Sequence, residues 1–163
     1  MKKIIFNPIS MFLIGSLFGI ISRLLDIHTE ILGNIFSELS IWILIGTIIT
    51  LSSSSKKYSM LNVFIFSISM IINYYLTAKL TNGVYNKIFI IGWLIFSFMA
   101  PIFSFFVYET KKQNFLSNII KIGVIVVSIL SSIILFDRIR FHDVIINILL
   151  ILILYSKKLR EKL

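Results

Sequence analysis

Five of the seven acidic residues (Asp26, Glu30, Glu38, Asp137 and Asp143) and both histidines (His28 and His142) stand at the ends of long apolar stretches, and Arg23, Arg138 and Arg140 stand with them. Ionisable groups beside apolar spans cost free energy unless paired or hydrated, roughly 2.5 to 3.5 kcal/mol at the centre of a membrane helix on insertion scales. The densest run is Asp137, Arg138, Ile139, Arg140, Phe141, His142, Asp143. Its arginines have the geometry to hold an anionic group by paired hydrogen bonds. His142 with His28, Glu30 or Asp143 has the donor types of a zinc or manganese site. No H-E-x-x-H or comparable spacing occurs, so no metal is assigned, and His142 beside Asp143 reads equally as a hydrated loop pair.

Polar residues inside the apolar stretches form a second set. Ser69, Asn73 and Thr77 share one helical stripe, with Tyr74, Tyr75 and Lys79 beside it. Asn73 must find a partner at that depth, either a neighbouring helix or a ligand. Further on, Ser97, Pro101, Ser104 and Tyr108 share a face, and Pro101 leaves the Ser97 carbonyl without its usual donor. Trp93 suits a pocket wall or an interface anchor. Near the start, Gly15, Gly19 and Ser22 recur at spacings of four and three, a small-residue face that lets another helix approach closely, whether within the chain or on another subunit.

The chain has 163 residues, 58% hydrophobic and 14% charged, more apolar surface than one soluble core of this size can hide. This is the composition of an all-α polytopic membrane protein. A crossing helix needs about 20 apolar residues, and the pattern predicts helices near 5–25, 36–52, 59–79, 87–108, 115–136 and 141–156, one membrane domain over 1–163. The second and sixth are short in clean apolar residues and take in Ser37 and Glu38, or His142 and Asp143, at their ends. Asp26 to Ser37 is the longest connection and reads either as an interfacial helix or lid, or as an extension of the second helix. Met1 to Lys3 and the apolar stretch after them resemble a secretory leader. The stretch is long enough to span and is followed by Arg23 to Asp26 rather than a cleavage site, so the first helix is expected to stay attached.

Orientation follows from the basic residues. Lys2, Lys3, Lys56, Lys57, Lys111, Lys112, Lys121, Lys157, Lys158, Arg160 and Lys162 fall on one side and Arg23, Lys79, Lys87, Arg138 and Arg140 on the other, which puts both termini in the cytoplasm and requires an even number of spans. The acids and histidines named first then face outward. The charge of +9 is thus explained by topology, and no nucleic acid is expected as a partner. There is no Cys, so no disulfide or thiol chemistry, and no phosphate loop, dinucleotide fingerprint or nucleophile elbow. No cofactor is expected. The Ile-, Asn- and Lys-rich usage points to a bacterial cell membrane.

In plan, a small basic six-helix protein with polar groups gathered outward resembles the S components, the substrate-binding membrane subunits of energy-coupling-factor transporters. That resemblance implies docking onto a shared transmembrane subunit through Gly15, Gly19 and Ser22, with Gly where that family mostly has Ala, and a lid matched loosely by Asp26 to Ser37. The function expected is a non-enzymatic, small-solute-binding membrane subunit of a transporter, energised by partner chains. Its ligand-binding candidates are Arg23, Asp26, His28, Glu38, Asn73, Arg138, Arg140, His142 and Asp143. The alternatives are a non-catalytic accessory or regulatory membrane protein and, third, an intramembrane metal-dependent enzyme.

Overall fold

The structure, a computed structural model, describes residues 6–36, 38–83, 87–112 and 114–156. The chain runs through α1 (Pro8–His28), α2 (Glu30–Phe36), α3 (Leu39–Ser52), α4 (Lys56–Leu80), α5 (Lys87–Glu109), a 3₁₀ turn (Thr110–Lys112), α6 (Phe115–Phe136) and α7 (Phe141–Tyr155). No strand occurs among the described residues. Ser37 and the basic residues Lys2, Lys3, Lys157, Lys158, Arg160 and Lys162 lie outside the described residues.

Local chemistry sets the helix ends. Asn7 caps α1 by accepting the Ser10 N–H at 2.9 Å, and Pro8 follows where its missing N–H is not needed. Ser55 accepts the Tyr58 N–H at 3.3 Å, so α4 begins at Lys56, three residues earlier than the apolar pattern predicts. Asn114 caps α6 through the Ser117 N–H at 2.8 Å. Asp137 ends α6 in the left-handed region (φ 54°), which an Asp tolerates better than most residues, and the chain then turns into α7.

Four segments, Pro8–His28, Lys56–Leu80, Ile88–Lys112 and Phe115–Ile134, are long and apolar enough to cross a membrane. They turn large apolar side chains outward, Ile88, Phe103, Phe115 and Ile134 among them, as lipid-facing helices do. The helices α3 and α7 have only 14 and 15 residues. The brevity of α3 fits its place, because it touches α4, α5, α6 and α7 and is surrounded by protein. Its hydroxyl-bearing residues Ser40, Thr47, Thr50 and Ser52 are all buried.

The segment after α1 is neither an extension of α3 nor a loose loop. It forms the separate helix α2, held at its middle and at its C-terminal end. Gly33 lies so close to Asp26 that an added Cβ would stand 2.8 Å from the Asp26 Cα. At its C-terminal end the Phe36 carbonyl accepts the Trp42 indole N–H at 2.9 Å, and the Phe36 ring packs between Phe18 and Trp42.

Candidate functional site

The bundle has two polar ends and an apolar cavity between its helices. One end holds the turns around residues 53–55 and 110–112. There Glu109 pairs with Lys56 and with Lys112, the latter at 2.6 Å, and Lys111 reaches the Ser53 carbonyl at 3.0 Å. The sequence-predicted site residues lie at the opposite end. They divide into two separate groups rather than forming one pocket.

The first group joins α1 to α4. Arg23 pairs with Asp26 at 2.7 Å, and the Tyr74 hydroxyl donates to the same Asp26 oxygen at 2.9 Å. Asn73, one turn deeper, donates to the Ser16 hydroxyl at 3.0 Å and to the Ser69 carbonyl at 2.8 Å, so its amide is used in joining the two helices. His28 and Arg138 are exposed and join neither group. The small-residue face also proves internal. Gly15, Gly19 and Ser22 are buried, and a Cβ on Gly19 would stand 2.9 Å from the Tyr74 nitrogen. Close approach to α4 leaves no room there, so this stripe packs α1 within the chain.

The second group gathers Glu38, Arg140, His142 and Asp143. Glu38 and Asp143 are 1% and 0% exposed, so their carboxylates depend on protein partners. Glu38 is paired with the Arg140 guanidinium and with the His142 ring nitrogen Nε2. The Asp143 carboxylate accepts the Ser132 hydroxyl at 2.7 Å and the Arg140 backbone N–H at 2.8 Å, and the Ser40 hydroxyl lies 3.3 Å from Glu38 and 3.4 Å from Asp143. Sequence reading missed Ser40 and Ser132, since a serine in an apolar helix carries no signal of what it faces.

One ligand atom each from Glu38, His142 and Asp143 falls within 4.8 Å of the others. Two carboxylates and an imidazole are a donor set for zinc or manganese. The Arg140 guanidinium, however, is already paired with Glu38 and lies 3.6 Å from Asp143, so a divalent cation would have to displace it. The arrangement works as a clamp closing α3, α6 and α7 onto one another.

The room for a ligand lies elsewhere. A cavity of about 490 Å³ opens between α3, α4, α5 and α6, within the usual range for small-molecule sites. Trp42, Phe66, Met70, Trp93, Phe96 and Ala100 represent its wall, and among the described residues no charged side chain lines it. Gly46 on α3 and Gly123 on α6 also line it and have open space where a Cβ would stand, so these glycines help keep it hollow. Leu39 lines it as well, directly following Glu38 of the clamp. Trp93 is therefore a wall residue, and so are Ser97 and Ser104 from the face the sequence singled out. No family model, curated protein or solved structure matches this chain.

Proposed function

We propose that this chain is a small-solute-binding integral membrane subunit with six crossing helices and both termini in the cytoplasm, and that its site is the apolar cavity rather than the charged groups at the bundle's end. The observation that carries the reading is a cavity of about 490 Å³ between α3, α4, α5 and α6, walled by aromatic and aliphatic side chains. Packed interiors hold few voids larger than a water molecule, and a void of this size forfeits contacts that a ligand restores. The clamp at Glu38, Arg140 and Asp143 supports the same reading from the other side, since its polar atoms are directed at one another.

With no nucleotide-binding motif in the chain, energy for moving a solute comes from other subunits, as in the S components that the plan resembles. The small-residue face of α1 is spent on internal packing, so such a subunit would meet a different surface.

The test is the thermal unfolding midpoint of the detergent-purified protein against a panel of neutral and charged small solutes. A ligand at a hundredfold its dissociation constant stabilises the folded state by roughly 2.7 kcal/mol. Neutral apolar compounds are expected to raise the midpoint, and Gly46→Leu with Gly123→Leu to abolish the rise. A panel without any shift favours the accessory role, and a shift confined to charged solutes and lost in Arg140→Ala would move the site back to the clamp.

A further inference from the structure

The chemical class of the solute can be narrowed from the few polar atoms in the cavity wall; this inference rests on the solute-binding reading above. The side chains that bring hydroxyls to the wall are Thr47, Thr50, Ser67, Ser97 and Ser104. Thr50 and Ser104 bond each other at 2.8 Å, and Ser67 donates to the Val63 carbonyl of its own helix at 2.8 Å. Thr47 shows no side-chain hydrogen bond among the described residues, and Ser97 shows none either and differs from the other four in its backbone as well. It is 1% exposed, and its hydroxyl has no hydrogen-bond partner among the described residues.

A serine inside a helix ordinarily turns its hydroxyl back to a carbonyl three or four residues earlier. The Ser97 hydroxyl does not, and a buried polar group left unpaired costs free energy that a ligand can recover. The backbone adds to this. Pro101 stands four residues on within α5 and has no N–H to give the Ser97 carbonyl. A single residue therefore brings to an apolar wall a hydroxyl and a carbonyl that both lack their ordinary partners. Among the described residues no charged side chain lines the cavity, which disfavours an ionised ligand group on desolvation grounds.

We propose that the cavity takes a neutral, mainly apolar molecule bearing one hydroxyl-type group, and that Ser97 is the residue that holds this group. Phe66, Met70, Trp93 and Phe96 cover the apolar body, and the polar contact at Ser97 fixes its orientation.

The experiment compares two probes of nearly the same shape, 2-naphthol and 2-methylnaphthalene, whose phenolic hydroxyl and methyl group occupy equivalent positions; the phenol stays neutral at pH 7. Saturable binding is measured by equilibrium dialysis of the full chain in detergent against protein-free micelles. The wild type is expected to favour 2-naphthol by about threefold to tenfold, the worth of one ordinary hydrogen bond. Ser97→Ala is expected to erase that preference while 2-methylnaphthalene binds as before. Pro101→Ala returns an N–H donor to the Ser97 carbonyl and is expected to weaken 2-naphthol alone. Equal binding of the two probes by the wild type, or a preference that survives both substitutions, overturns the role of Ser97 and leaves the cavity reading standing. If neither probe binds saturably, the cavity reading fails and this inference with it.

Discussion

The Ser132 hydroxyl of α6 donates to an Asp143 carboxylate oxygen of α7 at 2.7 Å, and both residues are buried. Asp143 is also tied to Arg140, and Arg140 to Glu38 at the start of α3, so three helices are joined through one buried ionic group. Removing one member of such a group leaves an uncompensated buried charge, which costs about 3–5 kcal/mol. Arg140→Met is expected to destabilise by that order in denaturant unfolding, and Ser132→Ala by about 1–3 kcal/mol. Combining Glu38→Gln with Arg140→Met should cost clearly less than the two singly added, because the double change removes opposite charges together. Strict additivity would mean that the two side chains do not interact.

The same clamp bears on metal binding. Glu38, His142 and Asp143 have the right donor atoms, but Arg140 stands among them. Zinc or manganese titrated into the metal-free protein is expected to leave the unfolding midpoint unchanged. A rise that disappears in His142→Ala would show that the metal displaces the guanidinium and would revive the intramembrane enzyme.

Glycines divide by what surrounds them. Gly19 meets the Met70 and Tyr74 backbone where a side chain would go, whereas Gly92 has nothing within 4 Å. Gly19→Leu is expected to part α1 from α4 and lower the midpoint steeply. Gly92→Ala should be neutral or stabilise by roughly 0.5–1 kcal/mol, since a mid-helix glycine gives up more backbone freedom than alanine. Circular dichroism melts of the two variants separate these outcomes, and a tolerated Gly19→Leu would contradict the α1–α4 packing.

Topology can be read chemically because the chain has no cysteine. Single substitutions at exposed positions, Asn82→Cys and Arg138→Cys at one end and Ser54→Cys and Lys112→Cys at the other, give four reporters against a silent background. A membrane-impermeant maleimide added to intact cells is expected to label Asn82→Cys and Arg138→Cys, and the other pair only after permeabilisation. The reverse pattern would invert the orientation argued from the basic residues.

Most of the helical plan is legible in the sequence, because apolar runs of crossing length mark the long helices, whereas the starts of α1 and α4 are set by caps at Asn7 and Ser55 that the apolar pattern does not carry. The separate helix α2 was legible only as one of two readings of Asp26 to Ser37. Its existence depends on Phe36 and Gly33 meeting Trp42 and Asp26, contacts that spacing does not reveal. Charged residues at the ends of spans were legible as a set, whereas their division into two groups was not. Glu38 and His142 lie 104 positions apart and meet only because α3 and α7 pack together. The cavity left no mark in the sequence, since a void forms where helices fail to meet and its wall reads residue by residue like any apolar core. Ser97 was singled out through Pro101, but its unpaired hydroxyl emerges only from the packing.

Both tryptophans of the chain, Trp42 and Trp93, line the cavity, and this makes its occupancy directly observable. The most direct measurement is intrinsic tryptophan emission of the protein in lipid nanodiscs, titrated with a neutral brominated aromatic hydrocarbon as quencher. Saturable quenching is expected, beyond the linear decrease that partition into lipid alone produces, and Gly46→Leu with Gly123→Leu should reduce it to that linear decrease. Quenching that is linear in the wild type and identical in the filled variant would mean that no solute enters between α3, α4, α5 and α6.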